Sequence, residues 1–178
     1  MKYCSNCGSS KLDFIIPDGD HVKRYICEDC GTIHYTNPNM VVGALCVRND
    51  KILMAKRNIH PRKGLWTLPA GFMENAETLQ QGALRETFEE TGSRAKVIQP
   101  YTLFSLPHIN QVHMFFLADL LDEDFGPTSE SQAVELHGEE DILWDQLAFP
   151  TVEKTLKHYF ADKKKDKFIF REEDITLW

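Results

Sequence analysis

The chain has 178 residues, of which 42% are apolar and 26% charged, and its formal net charge is −7. That balance suits one folded main domain with a small appendage and excludes a disordered chain. The negative charge argues against broad electrostatic binding to nucleic acid or to an anionic membrane. No apolar run approaches the roughly 20 residues that span a bilayer, and the start, MKYCSNCGSS, lacks the apolar stretch of a secretory leader. A reducing cytoplasm is the expected location, where the five cysteines are thiols or metal ligands rather than disulfides.

Two cysteine pairs open the chain, Cys4-Ser-Asn-Cys7-Gly8 and Cys27-Glu-Asp-Cys30-Gly31, with 19 residues between them. That spacing fits a closed structural zinc site of four thiolates, and the glycine after each pair suits the turn that points amides at the sulfurs. A redox CxxC or two disulfides are the competing readings. A redox motif normally occurs once, beside a βαβ unit. Between the pairs, KLDFIIPDGDHVKRYIC reads as two short strands around a turn, so residues 1–36 are expected to form a zinc ribbon. A segment this short cannot hold a core alone, and the metal would supply the missing folding energy. His34 is expected on the surface or on a strand rather than as a ligand.

Residues 37–178 form the expected main domain. NPNMVVGALCVRNDKILMAKR reads as two strands around Asn49-Asp50, with Cys46 in the core. IHPRKGLWTLPAGF is a loop with short extended pieces. A helix is expected over residues 78–91, and strands at about 95–105 and 112–120. DEDFGPTSESQ is an acidic loop and AVELH a short strand. TVEKTLKHYFADKKK is a second helix, with Val152, Leu156, Tyr159 and Phe160 in one stripe and lysines where the helix dipole favours them.

The first helix has its charges in the wrong place. Glu86, Glu89 and Glu90 crowd its C-terminal turns, against the dipole and against each other. Steps of 100° put Leu84, Thr87 and Phe88 on one side, toward the core, and Gly82, Glu86, Glu89 and Glu90 on the other. Arg85 can pair with Glu89, and Arg94 with Glu90, as on an ordinary solvated face. That reading leaves Gly82 unexplained, since it costs about 1 kcal/mol relative to alanine within a helix. A missing side chain beside a carboxylate cluster leaves room for something to approach. A hard divalent cation, Mg²⁺ or Mn²⁺, would relieve the repulsion.

Gly71, five residues, Glu77, seven residues and then Arg85-Glu86-Thr87-Phe88-Glu89-Glu90-Thr91-Gly92 resembles the Nudix box, GX5EX7REUXEEXGU, with every fixed residue present. Thr87 and Ser93 stand where the box has bulky aliphatic residues. With the ribbon, GLWTLPAGFMENAET, SLPHINQVHMFFLADL and WDQLAFPTVEKTLKHYF, nearly the whole chain is similar to zinc-ribbon Nudix hydrolases of the FAD and ADP-ribose pyrophosphatase type. The resemblance implies an α+β class, an α/β/α sandwich with a mixed sheet preceded by the ribbon. It also implies an enzyme that hydrolyses a nucleoside diphosphate linked to another group, here a small-molecule dinucleotide, with release of AMP.

The same resemblance implies Mg²⁺ or Mn²⁺ on Glu86, Glu89 and Glu90, with a backbone carbonyl at Gly71 or Ala70, and Arg85 orienting the carboxylates through Glu77. Glu86 could share the role of base, and Glu130 in the acidic loop is the candidate general base. Arg57, Arg62 and Lys63 are candidate phosphate contacts. Trp66, Tyr101, Phe104, His108 and Phe115 are candidate stacking partners, although most strand aromatics are core. Pro107, 15 residues beyond Gly92, sits where ADP-ribose-type members have a proline. The SQPWPFPxS array of NADH pyrophosphatases is missing, which counts against NADH. NADH or NAD-capped RNA remains the alternative substrate, and a non-enzymatic ribbon–Nudix ligand sensor the alternative class. Many relatives are homodimers, so a dimer is expected.

Overall fold

The computed structural model describes residues 1–176. Met1–Asn37 forms one compact unit and the chain from Pro38 onward a second.

The first unit is a small antiparallel sheet of β1 (Leu12–Ile15), β2 (Arg24–Cys27) and β3 (Ile33–His34), in the order β1-β2-β3. Four sulfurs gather beside it: Cys4, Cys7, Cys27 and Cys30 Sγ all lie within 4.8 Å of one another. Cys4 to Cys30 is 3.7 Å and Cys7 to Cys27 3.6 Å. A disulfide needs about 2.05 Å, whereas a tetrahedron of Zn–S bonds of about 2.3 Å has edges near 3.8 Å. Both knuckles close alike. Gly8 N–H donates to Cys4 O and Gly31 N–H to Cys27 O, and both glycines hold a positive φ, 77° and 71°, that a side chain would strain. Thr32 and Asn6 hydrogen-bond the Cys30 sulfur and bring its pKa down to about 6, favouring the thiolate a metal needs. His34 is a buried strand residue, its Nδ1 3.5 Å from Ser5 Oγ. We expect one zinc per chain in dialysed protein, with chelation unfolding this unit. A metal-free protein with the ribbon intact would contradict the assignment.

The second unit is an α/β/α sandwich. In chain order come β4 (Asn39–Arg48), β5 (Lys51–Arg57), the short β6 (Trp66–Thr67) and β7 (Ala70–Phe72), α1 (Leu79–Thr91), β8 (Ala95–Leu106), β9 (Gln111–Leu120), β10 (Ser131–His137), α2 (Pro150–Lys163) and β11 (Arg171–Asp174). The sheet runs β10-β5-β4-β9-β8-β11, with β6 on β5 and β7 on β4. It is mixed: β4/β9 and β11/β8 are parallel, and the other pairs antiparallel. Asn49 and Asp50 both take positive φ, 48° and 65°, as a tight two-residue hairpin between β4 and β5 demands. Alternation along β4 divides its side chains. Leu45 joins Phe104, Phe115, Trp66 and the α2 stripe Val152, Leu156, Tyr159 and Phe160, while Val42 joins Ala83 of α1, Met114 and Phe116. Cys46 is fully buried.

Strand β11 was not expected from its charged sequence, Arg-Glu-Glu-Asp. It extends the sheet edge on β8, and Asp162 of α2 anchors it by accepting from Arg171 Nη1 and Nη2 and from Tyr101 Oη.

Helix α1 is capped at its start by Thr78, whose hydroxyl accepts from Gln81 N–H while Gln81's side chain accepts from Thr78 N–H. Its buried face differs from the expected one. Gly82, Ala83, Glu86, Thr87, Glu90 and Thr91 are buried, whereas Phe88 is 52% exposed. The helix lies on β4 through small residues, and the buried Thr87 hydroxyl is satisfied by Ala83 O at 2.8 Å. Gly82 is part of that contact: a Cβ there would sit 2.8 Å from Val42 Cγ2 and 2.6 Å from Glu77 Oε1. The room at Gly82 is therefore filled by this chain's own strand and Glu77 rather than left for a ligand. Gly82→Ala should destabilise by about 1–3 kcal/mol despite alanine's higher helix propensity. Thermal unfolding checks this, and a more stable variant would contradict the packing.

Candidate active site

The Glu77 carboxylate is where the site begins. It accepts from Arg85 Nε at 3.0 Å and Nη2 at 2.8 Å, and from Glu74 N–H at 2.7 Å. Those bonds, Arg85's first, hold its pKa down at about 2. Anchored by that fork, Arg85 turns Nη1 to Glu86 Oε1 at 2.7 Å and Glu89 Oε2 at 2.9 Å, and Nη2 to Phe72 O at 3.1 Å. One guanidinium thus fixes two of the clustered glutamates directly and the β7 backbone with them. Arg94 is exposed, and among the described residues Glu90 takes part in no ion pair.

Glu86 and Glu90 point inward against β7. A Cβ at Gly71 would overlap the Glu86 carboxylate, so glycine is what admits that side chain beneath the strand. Glu90 Oε2 lies 3.4 Å from Ala70 N, and the residue is only 5% exposed. Burial raises the pKa of both acids. Glu90 reaches about 8, with Glu86's charge adding to the burial and Arg57's opposing it.

These groups share one cleft of about 580 Å³, lined by Arg57, Gly71, Arg85, Glu86, Glu89, Glu90 and Glu130 together with Val41, Phe72, Gln111, His113, Phe115 and Phe149. They meet where β4 changes its antiparallel partner from β7 to β5. Arg57, at the end of β5, is largely buried, donates from Nε to Pro61 O at 2.9 Å and lies 5.2 Å above the Phe149 ring. Glu130 is exposed at the rim, its backbone tied to Asn58 N–H. Other candidates lie elsewhere. Trp66, Tyr101 and Phe104 are buried in the core, and Trp66 packs edge-on against His137. Arg62, Lys63 and His108 are exposed and do not line the cleft, and His108 sits in a 3-10 turn over Pro107–Ile109. Phe115 is the one stacking candidate that reaches it. Gln111 and His113 were missed because an i, i+2 polar pair on a strand looks like ordinary alternation.

A family model described as NUDIX domain matches residues 37–163. The chain belongs to the Nudix family. A model described as Nudix N-terminal, the zinc ribbon, matches residues 2–36. A Nudix hydrolase from Nitrosomonas europaea, solved as a crystal structure, is 47% identical, covers 99% of this chain and 100% of its own, and superposes with a TM-score of 0.96. An NAD-capped RNA hydrolase NudC of Vibrio atlanticus is 33% identical, over 92% of this chain and 62% of that protein. An ADP-ribose pyrophosphatase of Methanocaldococcus jannaschii is 30% identical, over 72% of this chain and 77% of that protein. The chain spans about half the length of the first NudC relatives, 51% in Photobacterium profundum and 44% in Edwardsiella ictaluri. In this Nudix chain no helix of the described residues is long and apolar enough to cross a membrane.

The donor set fits a hard divalent cation. Glu86 and Glu90 are buried carboxylates, Glu86 shares Arg85 with Glu89, and Glu90 has no ion-pair partner among the described residues. Oxygen-only sites select Mg²⁺ or Mn²⁺, and a cation would favour the charged form of both carboxylates against the burial that opposes it.

Proposed function

We propose that this Nudix chain is a divalent-cation-dependent pyrophosphohydrolase that cleaves the phosphate–phosphate bridge of a dinucleotide of the ADP-ribose or FAD type, releasing AMP. The observation that carries this reading is the convergence of Glu86, Glu89, Glu90, Arg57 and Glu130 on one cleft of about 580 Å³, a volume that suits a small-molecule substrate. Glu86, Glu89 and Glu90, with the Gly71 backbone carbonyl, would hold Mg²⁺ or Mn²⁺. A bound cation's part is to lower the pKa of attacking water and neutralise charge that grows on the phosphate oxygens.

The side chains divide the remaining work. Arg85 keeps Glu86 and Glu89 in place, so no reorganisation is needed as charge develops. Arg57, held by Pro61 O and the Phe149 ring, presents fixed positive charge to the phosphates. Glu130 faces the cleft from a solvated rim and accepts the proton of the attacking water.

A second reading, hydrolysis of NADH or NAD-capped RNA, is favoured by the names of several relatives, including NudC of Klebsiella pneumoniae and Vibrio parahaemolyticus. Catalytic efficiencies on ADP-ribose, FAD, NADH and dGTP with Mg²⁺ or Mn²⁺ separate the possibilities. ADP-ribose or FAD should lead. Preference for dGTP would overturn the dinucleotide reading, and preference for NADH would install the second. We also propose a homodimer in a cytoplasmic setting. Light scattering should give twice 20.5 kDa at micromolar concentration, and 20.5 kDa would contradict the dimer.

A further inference from the structure

One wall of the cleft carries polar groups that neither cation binding nor proton transfer uses. On β4, Val41 pairs in register with Phe72 on one side and with His113 on the other. Residues in register across adjacent strands share a face, and all three line the cleft. Strands lie about 4.8 Å apart, so the backbones of Phe72 and His113 stand about 10 Å apart, with the short Val41 side chain as the floor between them. The result is a slot beside Gly71, open to a flat ring.

Gln111 lies two residues before His113 and shares its face. His113 is 9% exposed, and burial keeps it neutral, with a pKa lowered to about 4. Its Nε2 lies 2.8 Å from Gln111 Oε1. An amide oxygen only accepts, so Nε2 carries the proton and donates. That contact uses the carbonyl of Gln111 and leaves its amino group, with two N–H donors, without a hydrogen bond to the described residues in the cleft that Gln111 lines. Gln111 is half-buried and lines the cleft together with Val41, Phe72 and Phe115, so a ligand that accepts from this amino group would replace the water that otherwise solvates it.

We infer that Gln111, oriented by His113, is the specificity-determining contact for the adenine ring of the substrate's AMP half, donating an N–H to a ring nitrogen. This rests on the dinucleotide reading above, in which ADP-ribose and FAD share that half. His113 is a positioning residue that acts through Gln111.

The test is the affinity of the full chain for AMP, ribose 5-phosphate and FMN, measured by calorimetry with saturating Mg²⁺. Gln111→Glu keeps the shape and removes the donors. It should weaken AMP about tenfold and leave ribose 5-phosphate unchanged. His113→Leu should weaken AMP by a similar factor, and the double variant by no more than the larger single effect. On ADP-ribose, Gln111→Glu should raise KM with kcat within threefold. Unchanged AMP affinity, equal losses for ribose 5-phosphate, a loss confined to FMN, or no AMP binding by the parent would each overturn the subsite. If the parent cleaves ADP-ribose and Gln111→Glu leaves AMP binding alone, only the subsite fails. If AMP binding follows the expected pattern but no dinucleotide is cleaved, only the activity fails.

Discussion

Glu90→Gln should lower turnover at least a hundredfold while raising the unfolding temperature in divalent-free buffer. Both effects come from the same buried carboxylate. At 5% exposure and beside Glu86, Glu90 has its pKa raised to about 8. The folded state then binds more protons than the unfolded chain between the ordinary carboxylate range and about pH 8, so stability falls as pH rises through that window. Each pH unit in the window costs about 1.4 kcal/mol, or about 3 kcal/mol by pH 7. Glutamine removes this cost, and at roughly 2–4 °C per kcal/mol the variant should melt several degrees higher. Near pH 4 the difference should vanish. Saturating Mg²⁺ should stabilise the parent and not the variant. Unchanged turnover would show that α1 is only a scaffold. A variant that melts lower in chelator at pH 7 would show that Glu90 carries no buried-charge penalty.

Arg85→Ala should cost both activity and stability, the opposite pattern. The guanidinium spends its N–H groups on Glu77, Glu86, Glu89 and Phe72 O. Removing it leaves three acids facing one another without a counter-charge, worth about 2 kcal/mol after allowance for their partial exposure. Glu86 and Glu89 lose their fixed positions, so kcat should fall at least a hundredfold. Arg85→Lys should restore some stability and little turnover, because an ammonium cannot fork onto Glu77 while bridging two further carboxylates. The pH profile carries a separate mark. Glu77's low pKa contributes stability above the unfolded carboxylate range that is lost as pH falls toward about 2. Arg85→Ala should remove that contribution and begin acid unfolding at higher pH. A lysine variant with parental kcat would reduce Arg85 to a simple charge.

Much of this arrangement is legible in the residues, and the exceptions have physical causes. Alternation and the Asn49-Asp50 turn give β4 and β5, and the Val152, Leu156, Tyr159, Phe160 stripe gives α2 and its buried face. Helix α1 misleads because hydrophobicity points Leu84 and Phe88 inward. Close packing on β4 keeps the expected Thr87 and takes the small Gly82 and Ala83 in place of Leu84 and Phe88, which turns Glu86 and Glu90 in as well. A helix that buries its acids is the feature that makes the site, and it violates the pattern from which helix faces are read. Strand β11 has no apolar alternation, and its place depends on pairing with the distant β8 and on the Asp162–Arg171 pair. Trp66, Tyr101 and Phe104 look like stacking residues in sequence, and only the fold shows them committed to the core.

The central claim is cation-dependent cleavage between the two phosphates of a dinucleotide by the α1 carboxylates. The most direct measurement is product chromatography of ADP-ribose incubated with the full chain and Mg²⁺, alongside chelator and Glu90→Gln controls. AMP and ribose 5-phosphate should appear in equal amounts, stop with chelator, and form at least a hundredfold more slowly in the variant. No AMP from the parent, or AMP formed equally fast by the variant, would contradict it.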